Sequence, residues 1–279
     1  MMLPELAHAL PDIQDEVDRR GIELDAVGVA GVRTPIRIID GEVDAAGVGS
    51  ADFVVPLAPD RRGTHMSRMV ETLAVQLREF DPRRAHALIA TAADRLDATE
   101  ARISFDLAVS FEVRAPVSDV AAWQAADVRF SIEGSAESAT MTTTLTTHVT
   151  SLCPCSKAIS EYGAHNQRSA VTLSVTGDAD DLYPLTLSEM FSLARQVGSC
   201  PIYPVIKRPD ERWITMEAYD RPAFVEDMVR DLSSTCRARG LRHSIHVRNF
   251  ESIHSHDAVA SLSWSPGPTS RSSFERQGL

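Results

Sequence analysis

Residues 102–115, RISFDLAVSFEVRA, alternate between apolar and polar side chains. Ile103, Phe105, Leu107, Val109, Phe111 and Val113 fall on one side of an extended chain, and mostly polar residues lie between them. A period of two over that length is satisfied by a strand with one buried face, because successive side chains of a strand point to opposite faces. The same period returns at 139–150 (ATMTTTLTTHVT), at 169–175 with Val171 and Leu173 inward, and at 258–264 with Ala258, Ala260, Leu262 and Trp264 inward. Apolar-in, polar-out alternation marks antiparallel pairing, so a mainly antiparallel sheet is expected.

Between these strands the period becomes helical. Met69, Val70, Leu73, Leu77 and Phe80 form one stripe, and an Ala- and Leu-rich segment at 83–96 follows Pro82. Thr186 with Glu189 reads as a capping box for a helix through Val197 that stops at Gly198. Pro222 opens another, with Val225, Met228, Val229, Leu232 and Cys236 on one face and Gly240 as its stop. Strands, two helices and strands thus occur twice, which predicts an α+β chain with an internal duplication. The expected division is an N-terminal segment at 1–25, units at 26–136 and 137–265, and a disordered Pro/Gly/Ser-rich tail at 266–279.

The 28 Lys and Arg are outnumbered by 39 Asp and Glu, a net charge of −11. That balance argues against nucleic-acid binding, which needs clustered bases on phosphates, and a small polyanion would need a local basic pocket. No run approaches the roughly 18 apolar residues of a membrane helix. The first twenty residues carry acids and lack a basic, then apolar, leader, so a cytoplasmic protein without a membrane partner is expected. Cysteines at 153, 155, 200 and 236 are too few and too uneven for a disulfide framework and are expected as thiols.

The segment 150–169, TSLCPCSKAISEYGAHNQRS, gathers Cys153, Cys155, Lys157, Glu161, His165, Gln167 and Arg168. In an extended chain Cys153 and Cys155 share a face and could look into one cavity; the plain alternative is two small residues packed beside Pro154. A closed structural zinc site lacks the further paired ligands. In NFESIHSHDA, at 249–258, Glu251, His254 and His256 lie just before or within the last strand, and the two histidines point the same way. Such residues on an exposed strand are commonly inert, but thiolate, imidazole and carboxylate together suit Zn²⁺, Fe²⁺ or Mn²⁺, which can activate water. The loop VIKRPDERW, at 205–213, is either a solvated turn or a phosphate contact through Lys207, Arg208 and Arg212, with Asp210 or Glu211 facing metal or base. Arg61, Arg62 and GTHMSR, at 63–68 and including His65, are a polar helix entry or an anion site. Glu226 and Asp227 offset the dipole of their helix, or one of them accepts the paired N–H donors of a guanine edge.

Taken in order, VGVAGVRTPI, RGTHMSR, TSLCPCSKAISEYGAHNQRS, YPVIKRPDER, AFVEDMVRDL and VRNFESIHSH closely resemble the type IB GTP cyclohydrolase I family over roughly residues 27–264. The resemblance implies a tunnelling fold of tandem ββααββ units whose antiparallel sheets join across subunits into barrels, with active sites at the interfaces of a homo-oligomer, a tetramer in the first instance. It implies conversion of GTP to 7,8-dihydroneopterin triphosphate and formate at the start of tetrahydrofolate synthesis, with one divalent transition metal (Zn, Mn or Fe) per site. Mapped onto matching positions, Cys153, His165, Glu211 and His254 look like metal-site residues, and Cys155, Glu251, His254 and His256 like catalytic ones. Glu226 looks like the guanine anchor, and Lys157, Arg168, Lys207, Arg208, Arg61 and His65 are candidates for the rest of the substrate. This chain departs from several members in reading CPIY at 200–203, and in the strand expected around Met216 and Glu217. Two rivals are a deazaguanine nitrile reductase of the same fold, with a cysteine nucleophile and a nicotinamide cofactor, and a non-catalytic metal- or purine-binding module.

Overall fold

The computed structural model describes residues 13, 14, 16–135, 137–178 and 181–267. Residues 1–12 and 15 of the expected N-terminal segment, and 268–279 of the expected tail, therefore lie outside the described residues. The element order is β1 (Leu24–Ile39), β2 (Asp44–Leu57), α1 (Met66–Gln76), α2 (Ala85–Arg95), β3 (Ala101–Arg114), β4 (Ala121–Gly134), β5 (Ala139–Leu152), α3 (Pro154–Ile159), β6 (Asn166–Asp178), α4 (Leu187–Gln196), β7 (Cys200–Pro201), α5 (Arg208–Asp220), α6 (Val225–Ala238), β8 (Arg242–Asn249) and β9 (Ala258–Trp264). Short 3₁₀ turns at Leu77–Glu79 and Pro82–Arg84 join α1 to α2. The ββααββ order is present twice, with α3, β7 and α5 added in the second copy. The nine-stranded sheet runs β1-β2-β3-β4-β5-β6-β8-β9, with β7 beside β5.

Register converts the alternation into rows of apolar side chains. Leu173 of β6 pairs with Ile245 of β8, and Ile245 with Leu262 of β9; Val171, Val247 and Ala260 form the next row. A slip of one residue would turn every one of these outward.

Packing divides the described chain into two compact units. The first takes the chain through Val109, with Asp127–Thr143 and Asp178–Tyr183. Its core holds the buried Met69, Leu73, Leu77 and Ile89 of the helical segment. Phe80 meets Phe105 edge-on at 4.9 Å between ring centroids and Phe130 at 5.2 Å. Val70, expected in the stripe, is exposed, because it lies about 100° round the helix from Met69 and the buried face follows Met69, Thr72 and Leu73.

The second unit comprises Ser110–Ala126, Thr144–Gly177 and the chain from Pro184 onward. The capping box forms as expected, with the Glu189 N–H donating to Thr186 Oγ1 at 3.2 Å and the Thr186 N–H to Glu189 Oε2 at 3.0 Å. Val225, Met228, Val229, Leu232 and Cys236 are all buried, and Gly240 takes the left-handed φ of +69° that ends the α6 segment. The α6 helix begins at Val225, not at Pro222: Asp227 reaches back to accept the Phe224 N–H at 3.0 Å, so the side-chain cap sets the start. Among the described residues no helix is long and apolar enough to cross a membrane.

Candidate functional site

The site grows from the end of β5. Gly198 lies so close to this strand that a Cβ there would sit 2.5 Å from Val149 Cγ2, and that approach brings in Ser199, whose N–H donates to the Thr150 carbonyl at 2.8 Å. The Leu152 N–H then donates to Ser199 Oγ at 2.9 Å, and the Leu152 carbonyl accepts the Ala223 N–H at 3.1 Å. The segment that leads into α6 is thereby tied, at Ala223, to the last residue before Cys153.

Cys153 ends the strand and caps α3. Its N–H donates to the His165 carbonyl at 3.1 Å, and its sulfur accepts the Ser156 N–H at 3.3 Å. Pro154 at the first helical position starts the turn. Residues two apart on a helix lie roughly 200° apart around its axis, so Cys155 turns away from Cys153 and is exposed. The shared face expected for an extended chain is thus replaced by a helical turn.

His165 stands beside this cap. Its N–H donates to Ser156 Oγ at 3.3 Å, and its Nδ1 lies 2.9 Å from Gln167 Oε1 and 3.4 Å from Ser252 Oγ. Ser252 belongs to the irregular segment between β8 and β9 and so carries that segment to the site. Next to it, Glu251 Oε2 is buried without a hydrogen-bond partner, while the Glu251 N–H donates to Asp257 at 3.1 Å. The hydrogen bond from Arg248 holds the Asp257 carboxyl below the usual carboxylate range. His254 and His256 precede β9, with ring centroids 5.3 Å apart and planes 16° from parallel.

The 205–213 segment is not a loop. It enters α5, which also contains Met216 and Glu217, expected in a strand. Pro209 followed by two acids was itself a helix-start signal. Asp210, fully buried, fixes this start: Oδ1 accepts the Val117 and Ser118 N–H groups, each at 2.8 Å, and Oδ2 accepts Ser118 Oγ at 2.6 Å and the Lys207 N–H at 2.8 Å. Lys207, Arg208 and Glu211 are thereby presented on the exposed entry of the helix. Glu217 pairs with Arg221 one turn on, at 3.2 Å.

The remaining cations divide. Arg168 is exposed beside the site strand. Lys157 donates to the Tyr219 carbonyl and lies 4.2 Å from the centroid of the Tyr219 ring, which binds α3 to the end of α5. Arg61 and His65 belong to the first unit, where Arg61 is ion-paired with Asp97 and His65 Nδ1 is 3.0 Å from Gln14 Oε1. At the entry of α6, Asp227 supplies the cap, which leaves the exposed Glu226 free of any hydrogen bond or ion pair among the described residues.

Cys153 and His165 are the metal-ligating types brought together here. Among the described residues no three His, Cys, Asp or Glu side chains gather closely enough to hold a metal ion. Asp210, expected to face metal or base as an alternative to Glu211, is instead buried in the α5 entry, and Ser252 and Gln167, to which the sequence alone gives no role, flank His165.

The sequence matches the family model described as "Type I GTP cyclohydrolase folE2" over residues 10–260. It is 39% identical over 258 residues to GTP cyclohydrolase FolE2 1 of Dechloromonas aromatica, covering 91% of this chain and 95% of that protein. It is 41% identical over 257 residues to GTP cyclohydrolase FolE2 of Methylococcus capsulatus, covering 90% and 94%. Among solved structures it is similar to the uricase from Arthrobacter globiformis at 9% identity and a TM-score of 0.43, covering 88% of this chain and 96% of that one.

Asp210 yields a test of how the α5 entry is held. Burial alone would raise its pKa, but the hydrogen bonds from Ser118, Lys207 and Val117 outweigh it and hold the carboxyl well below the usual range. A carboxyl so depressed stabilises the fold fully above the unfolded value near 4, and the contribution is lost as pH falls below it. Asp210→Asn, which turns an amide N–H₂ toward donors, is expected to lower the urea midpoint at pH 7, with the gap to the parent closing below about pH 4. A gap that does not change with pH would show that the charge is not what holds the turn.

Proposed function

The chain belongs to the Type I GTP cyclohydrolase FolE2 family and is a GTP cyclohydrolase of folate biosynthesis, and on that premise we propose how its own residues divide the reaction. In this reading it is a type IB enzyme that hydrolyses GTP to 7,8-dihydroneopterin triphosphate and formate. The observation that carries the assignment of residues is the meeting, at the end of β5, of Cys153, His165 and the segment that leads to Glu226.

The donor chemistry fits a divalent transition metal. Cys153 and His165 are joined through their backbones, Nδ1 of His165 is engaged by Gln167 so that Nε2 is left for a ligand, and a buried carboxylate oxygen of Glu251 lies without a partner next to Ser252. Cys153 and His165 would hold the ion, with Glu211 and His254 as the further ligands of the family pattern. Bound there, Zn²⁺, Mn²⁺ or Fe²⁺ would supply a Lewis acid that makes water nucleophilic near neutral pH.

The rest falls to the protein. Glu226 accepts the N1–H and 2-amino donors of guanine on its two oxygens and sets the purine in place. Water adds at C8, His254 or His256 moves protons as the imidazole ring opens, a second hydrolysis releases formate, and the ribose carbons then rearrange and close onto the freed amine with loss of water to give the pterin. Cys155 and Glu251 line the approach. Arg168, Lys207 and Arg208 meet the triphosphate with charge-assisted hydrogen bonds. Lys157 keeps the α3 turn on α5. The cytoplasm, where unpaired thiols persist, is the compartment of this chemistry.

The active species is a homo-oligomer, a tetramer with sites shared between subunits. Ile159 and Tyr162, 86% and 87% exposed beside the Cys153 turn, are the apolar surface that a second subunit would cover. Sedimentation at assay concentration should show tetramer; an active monomer would overturn this.

Two substitutions separate the roles. Cys153→Ala should lose bound metal and turnover together, measured as metal per chain and formate released; full turnover by metal-free protein would refute the metal reading. Glu226→Gln places a donor against a donor, a loss of about 1–3 kcal/mol, or roughly tenfold to a hundredfold in kcat/KM. Metal content should be unchanged. Near-parental turnover would mean that the base is anchored elsewhere.

A further inference from the structure

Behind His165 runs a line of polar groups that the reaction itself does not use. Gln167 Oε1 is 2.9 Å from His165 Nδ1, and Gln167 Nε2 donates to Ser151 Oγ at 3.0 Å. Ser151 Oγ lies 2.8 Å from Ser169 Oγ, and Ser169 donates to Asn249 Oδ1 at 2.7 Å. The line crosses β5, β6 and β8, and both serines are fully buried, with Asn249 nearly so.

Counting protons couples its links, and the bond from Ser169 to the Asn249 oxygen sets their direction. A hydroxyl has one proton to give. If Ser169 gives its proton to the Asn249 oxygen, Ser151 must supply the bond between the serines, and Ser151 is free to do so because it receives from the Gln167 amide. The Gln167 nitrogen is thereby committed to Ser151, and its oxygen faces His165 as an acceptor. Nδ1 must then carry the proton and Nε2 the lone pair. Reversing any single link would set two protons or two lone pairs against each other inside the sheet, so the line changes direction only as a whole. The hydroxyl of Ser252, free to rotate, follows either state.

We propose that Gln167, Ser151, Ser169 and Asn249 are positioning residues that hold His165 in its Nδ1–H tautomer, with Nε2 unprotonated and ready to ligate. The tautomer claim stands on the hydrogen bonds alone; only its consequence for metal rests on the reading of His165 as a ligand.

The test is ¹⁵N NMR of histidine-labelled, metal-free protein at a pH where imidazole is neutral, with zinc titration as a second arm. The parent should show His165 protonated at Nδ1. Gln167→Met, similar in volume but unable to accept, should shift the proton toward Nε2 and weaken zinc binding about tenfold to a hundredfold. Gln167→Glu, which still accepts from Nδ1 and can accept from Ser151, should restore both. Ser169→Ala, which cuts the line, should give a mixture of tautomers. A parent protonated at Nε2, or a Gln167→Met protein with an unchanged tautomer, would overturn the proposal, and an unchanged tautomer in Ser169→Ala would overturn the part assigned to the serines and Asn249. An Nδ1–H tautomer in a protein that takes up no zinc would instead refute the metal reading and leave the tautomer control standing.

Discussion

The register of β5 is the constraint from which the site follows. Alternate residues of this strand, Met141, Leu145 and Val149 among them, are buried, and Thr144 and Thr146 on its other face hydrogen-bond across to Ser174 and Thr172, each at 2.8 Å. A strand held on both faces ends at a fixed residue with a fixed side-chain direction. Cys153 is the first residue past that end, and the neighbours of the strand deliver the rest: β6 begins just beyond His165, Ser199 braces Leu152, and Ala223 docks the entry of α6. These residues are placed by hydrogen bonds of the sheet and its margins, not by loops searching for one another.

Charge is managed locally in a chain of net charge −11 that acts on a polyanion. Several acids are committed to structure. Asp210 gathers donors at the α5 entry, Asp227 caps α6, Asp257 holds Arg248, and Glu217 holds Arg221. Each such commitment ties a carboxylate to backbone donors or to a cation. Glu226 is different. Because Asp227, its sequence neighbour, supplies the helix cap, nothing in the local fold requires Glu226 to be an acid, and its carboxylate remains available for a partner from outside the chain.

Much of this was legible in the sequence because it depends on short-range periodicity. The alternation of 102–115 and 139–150 has one structural solution, and the capping box at Thr186 and the glycine stop at 240 are local signals with local causes. The α5 helix was missed because its apolar residues, Trp213 and Met216, are partly exposed and make no clear stripe, whereas its start is fixed by Asp210 reaching Val117 and Ser118, some 90 positions away in sequence. The geometry of Cys153 and Cys155 was misread for a related reason. An extended spacing was assumed where Pro154 begins a helical turn. The part of Gln167 could not be read at all, since its meaning lies in Ser151, Ser169 and Asn249 on three different strands.

Burial sorts the four cysteines by what they can do. Cys200 and Cys236 are fully buried, and burial pushes both thiols up to about 11, so they remain protonated at neutral pH and serve as small apolar residues. Cys153 is half-buried and accepts an N–H hydrogen bond at its sulfur, and Cys155 next along the turn faces outward. Metal ligation and nucleophilic attack both require a thiolate, and a thiolate needs either water or a hydrogen-bond donor. Of the four, only the pair at the end of β5 meets that condition, with a donor on Cys153 and solvent on Cys155. The sequence placed two cysteines in a dense polar segment, one on the apolar stripe of α6 and one in the short strand β7; the fold turns that difference in position into a difference in reactivity, because the stripe of α6 and the strand paired with β5 are what the fold buries.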